Sequence, residues 1–316
     1  MNSYLQNSPI PLKGILGEIK GGNSTVYRCL AEDSKIYAVK VLEGAKERRD
    51  SAILRQIAAA EALEGSTINH PALIGVNAQD SLLVFEWIEG FHPISSKDLA
   101  REIIRVASAL KEIHSQGSGF VLATDALQNI AIEIMNIESR HMALQQSFPE
   151  EIFQIWSAGL LSRLARIKQS HSDLQFELDT LSFSDFGSHN ILESNNKYYF
   201  LDSEFFGSDS SYKLLADIIL HPQNNFSLDA NLLLVDNISK IFHLEESKLR
   251  IVLMLLSLKW STIAFKRFST VSIKGMNHAS RELAMGYFTV FDKVAESELR
   301  GGLSAIHENM MSLRTR

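Results

Sequence analysis

Ser184-Asp185-Phe186-Gly187-Ser188-His189-Asn190 is the stretch from which the rest of the chain can be read, together with the hairpin that follows it and ends in Asp202. The hairpin is written as two short β runs, NILE and KYYFLD, joined by a turn at Ser194-Asn195-Asn196. Asp185 and Asn190 stand five residues apart, and Asp202 lies seventeen beyond Asp185 across the turn. Phosphoryl transfer to a hydroxyl needs such a set near one point. One carboxylate orients the hydroxyl and accepts its proton, oxygen ligands hold Mg²⁺, and a cation sits on the phosphates. A carboxylate and an amide oxygen are hard donors that suit Mg²⁺, and Asp-x4-Asn is the spacing of a phosphotransfer catalytic loop.

Asp185-Phe186-Gly187 also admits a second register, in which that aspartate is the metal ligand and the loop lies upstream at His171-Ser172-Asp173. Five residues beyond Asp173 stands Leu178, which offers a metal no oxygen, and the gap from Asp173 to Asp185 is short. The first register satisfies both spacings, so Asp185 is read as the base and Asp202 as the metal carboxylate.

Working upstream, Lys40 ends the run Tyr37-Ala38-Val39-Lys40, the pattern of a strand whose lysine meets α- and β-phosphates. Before it, Lys20-Gly21-Gly22-Asn23-Ser24 can form a turn whose backbone N–H groups approach a nucleotide. Residues 12–42 read as a β-meander, and a helix follows from Lys46 with apolar residues Ile53, Ile57, Ala60 and Leu63 and a C-capping Gly65. SLLVFEWIEG reads as a buried strand, carrying Glu86 and Glu89 and ended by Gly90. From about residue 91 the pattern turns helical. KDLAREIIRVASALKEIH places Leu99, Ile103, Val106, Ala107, Leu110 and Ile113 on one face, and the chain from about 212 is helical again.

Taken singly, these features have plainer readings: a loop cap for Asp185, a hairpin for the glycines, a solvated strand end for Lys40. Their order and spacing are what carry the argument. Trp156, Trp260 and Phe291 read as core, His171 and Asp173 as surface, and His189 as a residue ordering the loop through a hydrogen bond, with substrate contact as its alternative.

The totals set limits. The chain has 316 residues, 45% hydrophobic and 22% charged, with 6 Pro, which indicates a globular protein with room for two packed lobes. A net charge of −6 without a basic stripe argues against a nucleic-acid partner. A single cysteine, Cys29, excludes an intramolecular disulfide, and no His/Cys cluster at ligand spacing suggests zinc. The stretch MNSYLQNSPIPLKG has no apolar core of signal-peptide length. Ile251–Leu258, the most apolar run, is far shorter than the roughly 20 residues that span a bilayer. A cytoplasmic protein with no membrane partner is expected.

The stretches GGNSTVYRC, YAVKVL, LLVFEWIEG, FSDFGSHNIL and FLDSEFFGSDSSYKLLADIILHP together make the chain resemble the aminoglycoside phosphotransferase/choline kinase superfamily over nearly its full length. The last two are similar to a branch associated with bacterial surface-polysaccharide gene clusters. The resemblance implies an α+β, two-lobed protein-kinase-like fold. Residues 1–90 would form a nucleotide-binding lobe, a small antiparallel sheet with one helix, and 91–316 a larger, mainly helical catalytic and substrate-binding lobe. It implies ATP and Mg²⁺ as cofactors, Asp185 as catalytic base, Asn190 and Asp202 on the metal, and Lys40 on the ATP phosphates beneath the Gly21–Ser24 turn. Phe85–Ile88 would be the hinge, with the Glu86 carbonyl and the Ile88 N–H reaching adenine.

The chain departs from the family pattern in three places. Phe183-Ser184 stands where the family has His-Gly before the aspartate. Gln56 stands where a helix glutamate pairs with the lysine. Leu214-Leu215-Ala216, with Asp217 after it, stands for Asp-Leu-Ala. The expected activity is transfer of the ATP γ-phosphoryl group to a hydroxyl of a small polar metabolite, preferably a sugar or sugar-derived alcohol. The alternatives are a catalytically silent nucleotide-binding regulator, suggested by Gln56 and the absent His, and transfer of the nucleotidyl group.

Overall fold

A computed structural model describes residues 6–146, 150–271 and 278–312; the first five residues of the N-terminal stretch considered above lie outside these. The meander forms as β1 (Leu12–Lys20), β2 (Ser24–Ala31) and β3 (Ile36–Leu42), followed by α1 (Lys46–Leu63), β4 (Leu73–Asn77) and β5 (Leu82–Glu86). All five strands make one antiparallel sheet in the order β1-β2-β3-β5-β4. β4 was not anticipated, and the strand expected to run to Gly90 ends at Glu86.

Strand alternation decides where Lys40 points. Val39 pairs with Val84, and both pack with Cys29 on one face. Lys40 pairs with Leu83, and Leu83 packs with Leu42, Ala52 and Ile53 on the α1 side. With a period of two, Lys40 therefore shares the face covered by α1. The inner face of α1 is Ala52, Ile53, Gln56, Ala59 and Leu63, one position away from the expected Ala60. Gly65 takes φ +69° just beyond the helix, as a C′ glycine does.

The helical part contains α2 (Lys97–Gln116), α3 (Ile130–Gln145), α4 (Glu150–His171), α5 (Ser211–Leu220), α6 (Leu228–Phe242), α7 (Glu246–Val271), α8 (His278–Glu296) and α9 (Leu299–Ser312). Between α4 and α5 lie β6 (Thr180–Ser182), β7 (Ile191–Ser194), β8 (Lys197–Phe200) and β9 (Gly207–Asp209). β7 and β8 form the expected hairpin, with Asn195 and Asn196 at φ +49° and +59°, as a two-residue turn with two left-handed positions requires. β6 pairs with β9. The apolar run of α7 is buried, and no described helix is long and apolar enough to cross a membrane. Trp156 stacks on Phe265 with centroids 4.3 Å apart and donates its Nε1–H to Ser261 Oγ at 2.9 Å.

The segment after β5 is clamped to the hairpin. Phe91 N–H donates to the Glu193 carbonyl at 3.1 Å, and Glu193 N–H donates back to the Phe91 carbonyl at 2.8 Å. A Cβ on Gly90 would lie 2.6 Å from that Glu193 oxygen, so the close approach demands glycine. Gly90→Ala is expected to cost about 1–3 kcal/mol, measured by urea unfolding; an unchanged midpoint would contradict the clamp.

Candidate active site

Four phenylalanines build the floor of the 184–190 loop. The Phe183 ring lies 5.7 Å from Phe186, 5.7 Å from Phe200 and 5.5 Å from Phe206, and all four are buried. Above them the chain turns through Ser184 at φ +59°, a conformation costly for a residue with a side chain, with its N–H held by Ser182 Oγ at 2.9 Å. Asp185 emerges from this turn. Its Oδ1 accepts from Gly187 N–H at 3.3 Å and lies 2.9 Å from His221 Nε2, while Oδ2 lies 3.9 Å from His189 Nε2. Burial raises the Asp185 carboxyl, but the His221 hydrogen bond, the two neighbouring imidazoles and the Gly187 amide outweigh it and hold the group at about 2.

His221 follows α5 directly and is 3% exposed. Its ring lies 5.3 Å from that of His189 and 4.9 Å from that of Trp260. Gly187 is required by this packing, since a Cβ there would fall 2.3 Å from His221 Cε1 and 2.4 Å from His189 Nδ1. One expectation is met in part and another corrected here. Trp260 is half-buried, packed on the edge of the core with one side against His221, and His189 orders the loop by stacking on His221 and not by a hydrogen bond.

The ligand atoms of Asp185, His189 and His221 all lie within 4.8 Å of one another, a His-containing cluster that sequence spacing did not reveal. Yet Gln223 N–H donates to His221 Nδ1 at 3.1 Å, which makes Nδ1 the acceptor and places the proton on Nε2. An Nε2–H aimed at Asp185 is a donor and has no lone pair for a metal. The cluster is a hydrogen-bonded one.

Asn190 turns its amide nitrogen onto the Asp185 carbonyl at 3.4 Å, and its own carbonyl accepts from Leu201 N–H at 2.9 Å. That backbone bond seats the end of β8, and with it Asp202, against the loop. Asp202 Oδ1 accepts from Glu204 N–H at 3.1 Å and from Lys40 Nζ at 2.9 Å. Asp202 and Asp185 both act on the His189 imidazole, whose titration burial lowers and these two carboxylates raise. Asp185 is tied to Asn190, Asn190 to the strand end that carries Asp202, and Asp202 to Lys40 on the sheet.

Lys40 is 7% exposed, and a second carboxylate, Glu204 Oε2, lies 3.9 Å from its Nζ. Glu204 Oε1 accepts from Asn23 Nδ2 at 2.8 Å, so the turn after β1 closes onto the same group. Burial, then Asp202, pushes the Glu204 carboxyl up, while Lys40 and Asn23 pull it back. Gln56, expected as the partner of Lys40, is buried and donates to the Ala52 carbonyl one turn back at 3.3 Å. The second carboxylate near Lys40 comes from the stretch after β8 and not from α1. The spacing Asp202-Ser203-Glu204 was the available signal.

In the glycine turn, Gly21 N–H donates to the Ser24 carbonyl at 2.9 Å and Glu43 N–H to the Asn23 carbonyl at 2.9 Å. Neither Gly21 nor Gly22 lies in the left-handed region, and a Cβ on Gly22 would meet open space. The Gly21 amide is therefore engaged within the turn. At the expected hinge, Glu86 N–H is held by the Ala72 carbonyl at 2.9 Å, and the half-buried Ile88 lies just beyond the end of the sheet.

Beneath the loop lies a buried ion triad. Lys213 Nζ is 2.9 Å from Asp209 Oδ2 and 2.7 Å from Asp217 Oδ2, and none of the three is more than 3% exposed. Asp209 Oδ1 also accepts from Leu127 N–H at 2.9 Å and Ser210 N–H at 2.8 Å. Burial lowers the Lys213 ammonium, but the two carboxylates outweigh it and raise it above the ordinary lysine range. Asp217, the displaced aspartate of the third departure, is thus a partner of Lys213.

No family model and no curated protein matches this sequence. Solved structures do. A choline/ethanolamine kinase family protein from Mesorhizobium loti superposes with a TM-score of 0.60 at 17% identity, covering 96% of this chain and 97% of that one. The choline kinase LicA from Streptococcus pneumoniae gives 0.57 at 16%, covering 87% and 94%. ADP-bound aminoglycoside phosphotransferase APH(2'')-Ib gives 0.57 at 14%, covering 93% and 99%. This is the choline kinase and aminoglycoside phosphotransferase fold. At such identities the likeness is one of architecture, and it agrees with the two-part α+β arrangement expected from the motifs. The choline kinase fold places a sheet with one helix ahead of a helical part, and here the loop and hairpin carrying Asp185, Asn190 and Asp202 lie against that sheet.

Proposed function

We propose that this chain is an ATP- and Mg²⁺-dependent phosphotransferase that moves the γ-phosphoryl group onto a hydroxyl of a small polar metabolite. The observation that carries the reading is the bond from Lys40 on β3 to Asp202 after β8, 2.9 Å long, beside a loop that presents Asp185. In this account residues 1–90 bind the nucleotide and 91–316 carry the catalytic groups and the acceptor. Asp185 Oδ2 orients the acceptor hydroxyl and takes its proton as the new oxygen–phosphorus bond forms and the bond to the ADP oxygen breaks. Lys40 neutralises phosphate charge, with Asp202 and Glu204 holding its ammonium in place. Asn190 and Asp202 supply an amide oxygen and a carboxylate, hard donors that fit Mg²⁺, which when bound would neutralise the phosphate oxygens. The Gly21–Ser24 turn covers the phosphates, and the Glu86 carbonyl and Ile88 N–H hold the adenine.

A sugar or sugar-derived alcohol is the preferred acceptor, on the resemblance to the surface-polysaccharide branch. A cytoplasmic setting fits the lone, fully buried Cys29, whose thiol burial pushes up to about 11. The silent-regulator reading rested on Gln56 and the missing His. Glu204 lies beside Lys40 and His221 on Asp185, so a carboxylate and an imidazole reach these two groups from other parts of the chain, which favours an enzyme. Incubation with Mg-ATP and a panel of sugars and amino-alcohols, read by mass spectrometry, tests this. A phosphorylated acceptor and ADP are expected, whereas pyrophosphate release, or Mg-ATP binding without product, would overturn it.

A further inference from the structure

We propose that His221 is a positioning residue for the transfer: its Nε2–H fixes one oxygen of the Asp185 carboxylate and so aims the other at the acceptor hydroxyl. This rests on reading Asp185 as the group that takes the acceptor proton.

The imidazole is not needed to finish α5. The His221 backbone N–H already donates to the Asp217 carbonyl at 3.1 Å, and its carbonyl accepts from Asn224 N–H at 2.9 Å. The side chain is nevertheless buried at 3% exposure, and both its nitrogens are engaged, Nδ1 by Gln223 N–H at 3.1 Å and Nε2 by Asp185 Oδ1 at 2.9 Å. A buried imidazole with both nitrogens committed has one orientation and one tautomer.

The turn that carries it is fastened to the loop it serves. Asn224 Nδ2 donates to the Phe186 carbonyl at 3.0 Å and to the Ile218 carbonyl at 2.9 Å, and Asn224 Oδ1 accepts from Ser188 N–H at 2.9 Å. Ser188 Oγ donates to the Gln223 carbonyl at 2.9 Å. Residues 221–224 and 185–188 are therefore one hydrogen-bonded piece, and the distance from His221 to Asp185 is set by three further bonds between them.

Both donors to Asp185, the Gly187 amide and His221 Nε2–H, fall on Oδ1. Oδ2 is left facing the half-exposed His189 at 3.9 Å. His221 does not relay the proton: Nε2 already carries one, and the Nδ1 lone pair is occupied. The acceptor proton stays on Oδ2 during the step. The charged and titratable groups around this carboxylate are His189 on its own loop, His221 after α5, Arg267 on α7 and Asp202 after β8, the last two acting through His189.

The test uses two substitutions in the full chain with an acceptor found by the panel. His221→Leu removes the donor, and His221→Gln retains an N–H at nearly the same reach. The Leu variant is expected to lose about 10–100-fold in kcat, the size of one charge-assisted hydrogen bond, with the KM for ATP unchanged. The Gln variant should recover most of kcat. A folded Leu variant with kcat within about threefold of wild type, or a kcat loss that Gln does not recover, overturns the proposal.

A second readout needs no turnover. In the wild-type protein at pH 8, ¹⁵N NMR should show His221 with Nε2 protonated and Nδ1 bare, and the opposite tautomer overturns the proposal. Failure of the phosphotransferase reading, seen as no product with any hydroxyl, is thereby read separately from failure of the His221 assignment.

Discussion

Asp185→Asn is expected to cut turnover by about 10²–10⁴-fold, the usual contribution of a positioned general base, while ATP affinity stays within about threefold. Asparagine keeps the shape of the side chain and still offers an oxygen to His221 Nε2–H and Gly187 N–H, so the loop keeps its frame. What it loses is an oxygen able to take a proton. The groups assigned to the nucleotide, Lys40, Asn190 and Asp202, are untouched. The substitution also has a stability signature. The folded carboxyl sits at about 2, below its ordinary value, so its contribution is fully present above about pH 4 and is lost as pH falls through 2. That contribution is ~2 kcal/mol, so the Asn variant should unfold at lower urea near neutral pH and lose that deficit in acid. Turnover within tenfold of wild type would remove Asp185 from the role of base.

The largest effect on stability is expected at Lys213. Lys213→Met places an uncharged chain of similar length between Asp209 and Asp217, neither of them more than 3% exposed. Two carboxylates would then face each other without a cation, and stranding a buried charge in this way costs about 3–5 kcal/mol. The Asp209 carboxyl, which burial already raises and Lys213 holds back, would take up a proton at higher pH. Part of the loss should therefore be recovered on acidification, since protonating a carboxylate ends the repulsion. Urea unfolding at two pH values measures both. A loss below about 1 kcal/mol, or one independent of pH, would show that the triad does not act as a charged unit. Because Lys213 Nζ also lies 3.5 Å from Ser184 Oγ, the strained turn before Asp185 should loosen with it.

Local patterns were enough for four of the sheet's five strands, for α1 and α2, and for the Asp185–Asn190–Asp202 spacing. The Val/Tyr/Ile runs, the glycine at the end of α1 and the Asn-Asn turn each state their own conformation. β9 was not legible because Gly207-Ser208-Asp209 has no strand propensity of its own and is extended only by pairing with β6. β4 has the strand formers Ile74 and Val76, but Gly75 between them interrupts the run. Trp260 packs on the core as its apolar face indicates, but that pattern says nothing about which neighbour covers its other side, and here that neighbour is His221. His221 reaches Asp185 from chain distant in sequence, so no local spacing marks it, whereas Glu204 stands two residues beyond Asp202 and that spacing could have pointed to it. A second hint was present. Asp209, Lys213 and Asp217 recur every four residues where the chain is otherwise apolar, the spacing at which opposite charges meet.

The measurement closest to the central claim is the affinity for ATP with and without Mg²⁺, in the wild-type protein and in Asp202→Asn. If Asp202 and Asn190 hold the metal on phosphates that Lys40 also reaches, Mg²⁺ should strengthen ATP binding by about tenfold or more in the wild type, one charge-assisted contact or better. That gain should largely vanish in the variant. Equal ATP affinity with and without Mg²⁺, or a gain that survives the loss of the Asp202 carboxylate, would contradict the account.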